Sequence, residues 1–206
     1  MELVRSYFPD LDDGRIKKLA EFSACFGEWN SKLNLISRKD LDQLETRHIL
    51  HSLSIAKFIR FSDNSNVMDL GCGGGFPGLP LAIYFPNIEF VLVDSIRKKI
   101  DAVNDMVHSL ELQNVTVIND RAENVKRKFD FVVSRAVAPM NKLWAWCRNG
   151  IEKSENNALP NGLIALKGGD LKVELNPFGQ RVVVQDLSRY FKEDFFDTKK
   201  IVYLRA

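Results

Sequence analysis

The sequence predicts an α/β fold of the doubly wound kind: a mostly parallel sheet covered by helices on both faces, with an antiparallel final strand and a small N-terminal helical cap. Three observations predict it. From Val67 onward short apolar runs alternate with amphipathic ones, the pattern of strands joined by crossover helices. The first apolar run ends in Gly71-Cys72-Gly73-Gly74-Gly75, where glycine lets the backbone turn sharply and approach a ligand closely. The second ends in an acid, Asp94.

The elements follow in order. Ile16, Leu19, Phe22, Phe26, Trp29 and Leu33 recur at three- and four-residue spacing, so a helix runs through them with an apolar stripe on one face. Asp12 or Asp13 supplies its N-cap. A second helical run covers residues 41–59, with Leu44, His48, Leu53, Ile55 and Phe58 facing inward. The polar stretch at 61–66 is rich in turn formers. It divides a cap of residues 1–62 from a main domain of residues 63–206. There, strands are expected at 67–70, 89–94, 115–119, 129–134 and 162–167, and helices at 79–84, 97–110 and 141–151. Two late strands, at 181–185 and 200–204, finish the sheet as an antiparallel pair.

Composition narrows the class. In 206 residues, hydrophobic types make up 45% and charged types 27%, an ordinary globular balance with enough apolar material for a full core. Cys25, Cys72 and Cys147 form no CxxC pair, which argues against a disulfide framework or a cysteine zinc site and for a reducing compartment. The chain opens without a signal peptide and carries no membrane-length apolar run, so the expected location is the cytoplasm and the expected state a monomer. No metal is expected. Net charge is +2, but residues 121–206 hold 16 Lys/Arg against 10 Asp/Glu. That basic third either faces nucleic acid or is a solvated surface.

The glycine turn separates two cofactor classes. Dinucleotide binders use G-x-G-x-x-G with a pyrophosphate on the following helix N-terminus. Phe76 stands where the third glycine would fall, and Pro77 follows. The fit is instead to an acid, Asp69, one residue, then G-x-G-x-G. This is the arrangement of doubly wound enzymes that bind S-adenosylmethionine, whose ribose hydroxyls an acid at Asp94 would accept. Asp69 is placed to hold the ammonium through the loop or a water. Three other readings stay open: the same cofactor with another RNA, a protein or a small molecule as acceptor; a nicotinamide-dependent oxidoreductase; and a non-enzymatic RNA-binding scaffold.

Beyond the loop the likeness is specific. Gly71 through Ile83, ending Phe76-Pro77-Gly78-Leu79-Pro80-Leu81-Ala82-Ile83, resembles the G-x-G-x-G-[FL]-P-G-[IL]-P-L-[AS]-I signature of the RsmG (GidB) family. Trp29-Asn30, Asn34-Leu35, Arg47-His48-Ile49-Leu50, Val93-Asp94-Ser95, Arg121-Ala122-Glu123, Ser134-Arg135-Ala136 and Leu166-Lys167-Gly168 are similar to further family motifs. Two departures stand out. His51 occupies a position that is often aspartate, and Ile36 one that is commonly threonine. The resemblance implies a Rossmann-like class I methyltransferase sheet and transfer of methyl to N7 of a guanine in bacterial 16S rRNA, free or in the small ribosomal subunit. It also implies cofactor contacts at Gly71, Phe76, Ala122, Glu123 and Arg135, alongside Gly73 and Asp94 of the loop reading. Arg135 and Lys167 end the fourth and fifth strands, and both are expected to position reactants. Lys167 would hold a phosphate or guanine O6, or else be solvated. His48 is expected to be packed or hydrogen-bonded, and Cys147 to lie in the core. Guanine N7 carries a free lone pair, so neither a general base nor a nucleophile is expected.

Overall fold

A computed structural model of the chain describes residues 1–153 and 156–206. The N-terminal helices are α1 (Glu2–Tyr7), α2 (Asp13–Leu33), α3 (Arg38–Leu41) and α4 (His51–Phe58). The rest is β1 (Asn66–Leu70), α5 (Gly78–Tyr84), β2 (Glu89–Asp94), α6 (Arg97–Ser109), β3 (Val115–Asn119), β4 (Phe131–Arg135), α7 (Met140–Cys147), β5 (Gly162–Gly168), α8 (Lys172–Leu175), β6 (Val182–Asp186) and β7 (Lys199–Arg205).

Seven strands make one sheet in the order β3-β2-β1-β4-β5-β7-β6. The first five pair in parallel, and β7 is antiparallel to both β5 and β6. The last strand therefore inserts between β5 and β6 rather than closing the edge. A strand alternates its side chains between faces, and both faces here are apolar. Phe90, Leu92, Phe131, Val133, Ile164 and Leu166 face α4, α5, α6 and the N-terminal helices. Val91, Val93, Val132, Leu163 and Ala165 face α7. The N-terminal segment adds Val4, Phe8, Phe22, Phe26, Ile49 and Leu53 to the first of these cores.

Local chemistry explains the N-terminal helices. Asp12 caps α2, accepting from the Arg15 amide at 2.8 Å, and Asn34 ends it in the left-handed conformation. The Trp29 indole donates to Asp105 Oδ2 at 2.8 Å and ties α2 to α6. Buried Asn30 accepts from the Ile36 amide at 2.8 Å. The Trp-Asn pair thus shapes the loop after α2.

One expectation fails. The run at 41–59 is not a single helix. Residues Glu45–Leu50 form a π-turn that leads into α4. A π-turn widens the helix by one residue and alters which carbonyls its ladder uses. Here the Arg47 carbonyl accepts from the Arg135 guanidinium at 3.2 Å. Apolar spacing carries no sign of such an interruption, and the partner of that carbonyl lies 88 residues away.

Candidate functional site

In a doubly wound sheet, ligands bind outside the carboxyl ends of the strands, where strand order reverses. That point is the β1/β4 pair, and a cleft of about 890 Å³ opens there. Each parallel strand delivers a residue to its rim: Gly71 after β1, Asp94 at the end of β2, Asp120 after β3, Arg135 at the end of β4 and Lys167 near the end of β5. Because β7 runs the other way, its first residue, Lys199, lies opposite Gly168 at the same rim.

The β1–β3 half is built on backbone geometry. Gly71 has φ +72°, and a Cβ there would sit 2.6 Å from Val137 Cγ2. Gly73 has φ +57°, and a Cβ there would meet no protein atom within 4 Å. The loop thus presses its first glycine against the segment after β4 and turns its second toward the cleft. Asp94 holds this shape. Its Oδ2 accepts from the Gly73 amide at 3.0 Å and its Oδ1 from the Ile96 amide at 2.9 Å. Ala122 and exposed Glu123 start a short helical turn on the far wall, with Arg121 3.9 Å from the Glu123 carboxylate. These residues suit S-adenosylmethionine: a cradle open where a Cβ would intrude, a carboxylate beside it for a diol, and a turn for an adenine edge.

Asp69 is elsewhere. It is fully buried and does not line the cleft. Its Oδ2 accepts from the Gly78 amide at the start of α5 at 2.7 Å, and its Oδ1 has no partner. Burial pushes its pKa up to about 7, against the Gly78 hydrogen bond and the Arg135 charge. An acid therefore already occupies the helix N-terminus where a dinucleotide would seat its pyrophosphate, which counts against the nicotinamide reading.

The β4–β7 half is dominated by Arg135. Its guanidinium donates to the Arg47 carbonyl and contacts His48 Nδ1 at 2.9 Å. It also lies 4.8 Å from the centre of the Phe76 ring. Arginine only donates, so Nδ1 of His48 accepts, and the imidazole is neutral. Phe76 is nearly buried, packed against Phe22, Phe26 and His48 at ring distances of 5.0–5.3 Å. It is a floor for Arg135 as much as a wall of the cleft. Among the described residues no carboxylate lies within ion-pair distance of Arg135. Burial lowers its pKa to about 10, while the more distant Asp69 and Asp40 favour its charge. A half-buried cation without a close counterion carries a desolvation cost, and that cost falls when an anionic ligand arrives.

Lys167 is placed differently from Arg135. Its ammonium donates to the Ala138 carbonyl at 2.6 Å and pairs with Glu174 at 2.8 Å. Glu174 also accepts from the Met140 amide at 2.7 Å. Together they clamp the segment joining β4 to α7, which carries Val137 against Gly71. Sequence reasoning missed Lys99, Asp120, Phe195 and Lys199, all of which line the cleft. The last two reach it because β7, expected to be antiparallel, inserts beside β5, and no motif announces that place.

The titrations give a stability signature. Burial, then the charges of Arg135 and Arg47, lower the His48 pKa to about 3. Burial also lowers that of His51 well below its ordinary value. Both folded-state values lie below the unfolded one near 6.5, so this stability is complete above pH 6.5 and lost as pH falls toward 3. Asp69 acts oppositely: its folded value is raised, so its contribution is complete below pH 3.8 and lost as pH rises through 7. His48→Gln removes one histidine slope. The wild-type stability advantage over this variant should shrink by roughly 2 kcal/mol between pH 6.5 and 5, at ~1.4 kcal/mol per unit. Urea unfolding at the two pH values measures it, and an unchanged difference would refute the burial argument for His48.

No helix among the described residues is long and apolar enough to cross a membrane, and no group of three or more candidate metal ligands is found among them. Solved structures share the fold at low identity. A SAM dependent methyltransferase from Aquifex aeolicus superposes with a TM-score of 0.58 at 14% identity, over 83% of this chain and 100% of that one. The precorrin-6y C5,15-methyltransferase from Geobacter metallireducens gives 0.57 at 13%, over 84% and 92%. Sequence relatives are far nearer. The ribosomal RNA small subunit methyltransferase G of Phocaeicola vulgatus is 50% identical over 99% of this chain and 98% of its own length. Its namesake from Flavobacterium johnsoniae is 48% identical over 99% and 97%. The family model for rRNA small subunit methyltransferase G matches residues 15–201. A match of that extent covers the glycine cradle, the π-turn and every strand up to the start of β7, and it shows that the chain belongs to the rRNA small subunit methyltransferase G (GidB) family.

Proposed function

We propose that this chain transfers the methyl group of S-adenosylmethionine to N7 of one guanine in bacterial 16S ribosomal RNA. The observation that carries the reading is a single cleft joining a glycine-and-acid cradle to a wall holding a half-buried arginine with no carboxylate in ion-pair distance among the described residues. Membership of the family supports the acceptor. The three cysteines are free, as a reducing cytoplasm requires, and the reading takes the acting unit to be a monomer.

Bound S-adenosylmethionine supplies an electrophilic methyl group on a sulfonium. The chain's own part is to bind and align. Gly71 and Gly73 admit the amino acid portion, Asp94 accepts from the ribose hydroxyls, and Ala122 with Glu123 reads the adenine edge. Arg135 orients an anionic group where the two halves of the cleft meet. Lys167 acts by fixing the β4–α7 segment through Glu174 and Ala138. Guanine N7 needs no deprotonation, and the local chemistry suits that. His48 spends its Nδ1 lone pair on Arg135. The Cys147 thiol is buried with its pKa pushed up to about 12, and burial raises that of Cys72 well above the usual thiol range. Neither thiol is ready to act as a nucleophile on a base carbon. Alignment and exclusion of water then supply the rate.

Methylation at N7 leaves a cationic base that reductive treatment and aniline cleave. Reacted 16S RNA should break at one guanine. Incorporated methyl without such a break would place the product on another atom and overturn the N7 assignment.

A further inference from the structure

The cations at the rim of the cleft are not alike. Arg47 is paired with Asp40 at 2.9 Å and Lys167 with Glu174 at 2.8 Å. Lys199 has no carboxylate within ion-pair distance among the described residues, although it is only half-exposed and lines the cleft. Its ammonium lies 4.8 Å from the centre of the Phe195 ring. The Arg47 guanidinium lies 5.8 Å from the same centre. Phe195 therefore gathers two cations around one ring in the β4–β7 half of the cleft.

That ring is itself braced. It meets His51 edge-on at 5.4 Å and Phe196 at 5.1 Å. Fully buried Phe196 stacks on Phe191 at 4.4 Å, fixing the turn that precedes β7. An aromatic face attracts an ammonium without cancelling its charge. The wall behind adds no cancelling charge either. His51 is buried, its Nε2 has no partner, and burial with the nearby cations keeps its imidazole neutral.

Resting on the functional reading above, we propose that Lys199, held by Phe195 and assisted by Arg47, is the seat of an RNA backbone phosphate beside the target nucleotide. A polyanion is the ligand these features fit. The site offers donors and positive charge, with no carboxylate in ion-pair distance of Lys199 among the described residues, and it shares the cleft with the cofactor cradle. A base presented to the cradle must bring its flanking phosphate to the rim, and a fixed cation there sets its register. Arg135, deeper and between the two halves, remains free for its own partner.

The test is initial-rate methyl transfer to unmodified 16S RNA across a series of monovalent salt concentrations. Lys199→Gln should raise KM for RNA about tenfold near 0.1 M salt, with kcat and the cofactor Kd within about twofold of wild type. The slope of log KM against log salt should shrink by about 0.7–0.9, the value of one lost phosphate contact. Lys199→Arg should restore both. Phe195→Leu, which keeps apolar bulk and removes the ring, should raise KM about threefold. A Lys199→Gln enzyme with wild-type KM and slope, or one losing kcat alone, would overturn the phosphate seat while leaving the functional reading standing. Failure of the wild type itself to methylate the RNA, offered free and as small subunits, would overturn that reading, and the seat with it.

Discussion

Gly73→Ala should abolish cofactor binding and leave the fold standing. An added Cβ at this position meets no protein atom within 4 Å, so it projects into the space a ligand would take. The cost to folding is the left-handed backbone, φ +57°, which is roughly 1–2 kcal/mol for a residue with a Cβ. Against the ~5–15 kcal/mol of a typical domain that is tolerable, and the melting temperature should fall by about 2–8 °C. The cofactor Kd, read by calorimetry, should rise more than 100-fold. Gly71→Ala makes the contrast. Its Cβ would press on the Val137 side chain at 2.6 Å, so Val137 must move, adding up to roughly 1–3 kcal/mol of overpacking to the backbone strain. Gly71→Ala should lose both affinity and several further degrees. A Gly73→Ala protein that binds the cofactor normally would show that the cradle faces something else.

Arg135→Met should separate activity from stability. The guanidinium is half-buried, lacks a close carboxylate, and is held by the Arg47 carbonyl, His48 and the Phe76 ring. Removing it forfeits two hydrogen bonds, ~0.5–1.5 kcal/mol each, and leaves His48 Nδ1 without its donor. It also removes a half-buried charge without a close counterion, a gain of the same order when the replacement is apolar and of similar volume. The two nearly cancel, so the melting temperature should move by no more than about 4 °C. Methyl transfer has no such compensation, and kcat/KM should fall by about 10²–10³. Loss of several kcal/mol of stability with near-normal kcat/KM would make Arg135 a structural residue and remove it from the mechanism. Stability bought at the expense of function is the expected signature of a residue kept for its ligand.

How far the sequence could be read depended on the range of the forces involved. Strand and helix periodicities are local, so Glu89–Asp94 and Val115–Asn119 were legible to the residue. Glycine at 71 and 73 and the acid at 94 were legible as a cradle because a turn, an open face and a carboxylate are needed within one loop and its neighbouring strand. The π-turn was not, since apolar spacing does not register one extra residue in a turn, and the guanidinium that meets its Arg47 carbonyl arrives from β4. Nor was the place of β7, because insertion beside β5 depends on which edge the last segment reaches. That insertion brings Phe195 and Lys199 to the cleft, so the half of the site they build was hidden with it. Asp69 taught the reverse lesson. Its position before the glycines suggested a hold on the ammonium through the loop or a water, and in the structure its Oδ2 accepts from the Gly78 amide while the residue stays buried away from the cleft lining.

Transfer of labelled methyl from S-adenosylmethionine to 16S RNA lacking the modification, offered free and as small subunits, tests the central claim most directly. Wild type should label one guanine stoichiometrically, and Gly73→Ala should label none. Cofactor bound tightly with no transfer to either RNA form would contradict the proposed acceptor, and equal labelling by Gly73→Ala would contradict the cradle itself.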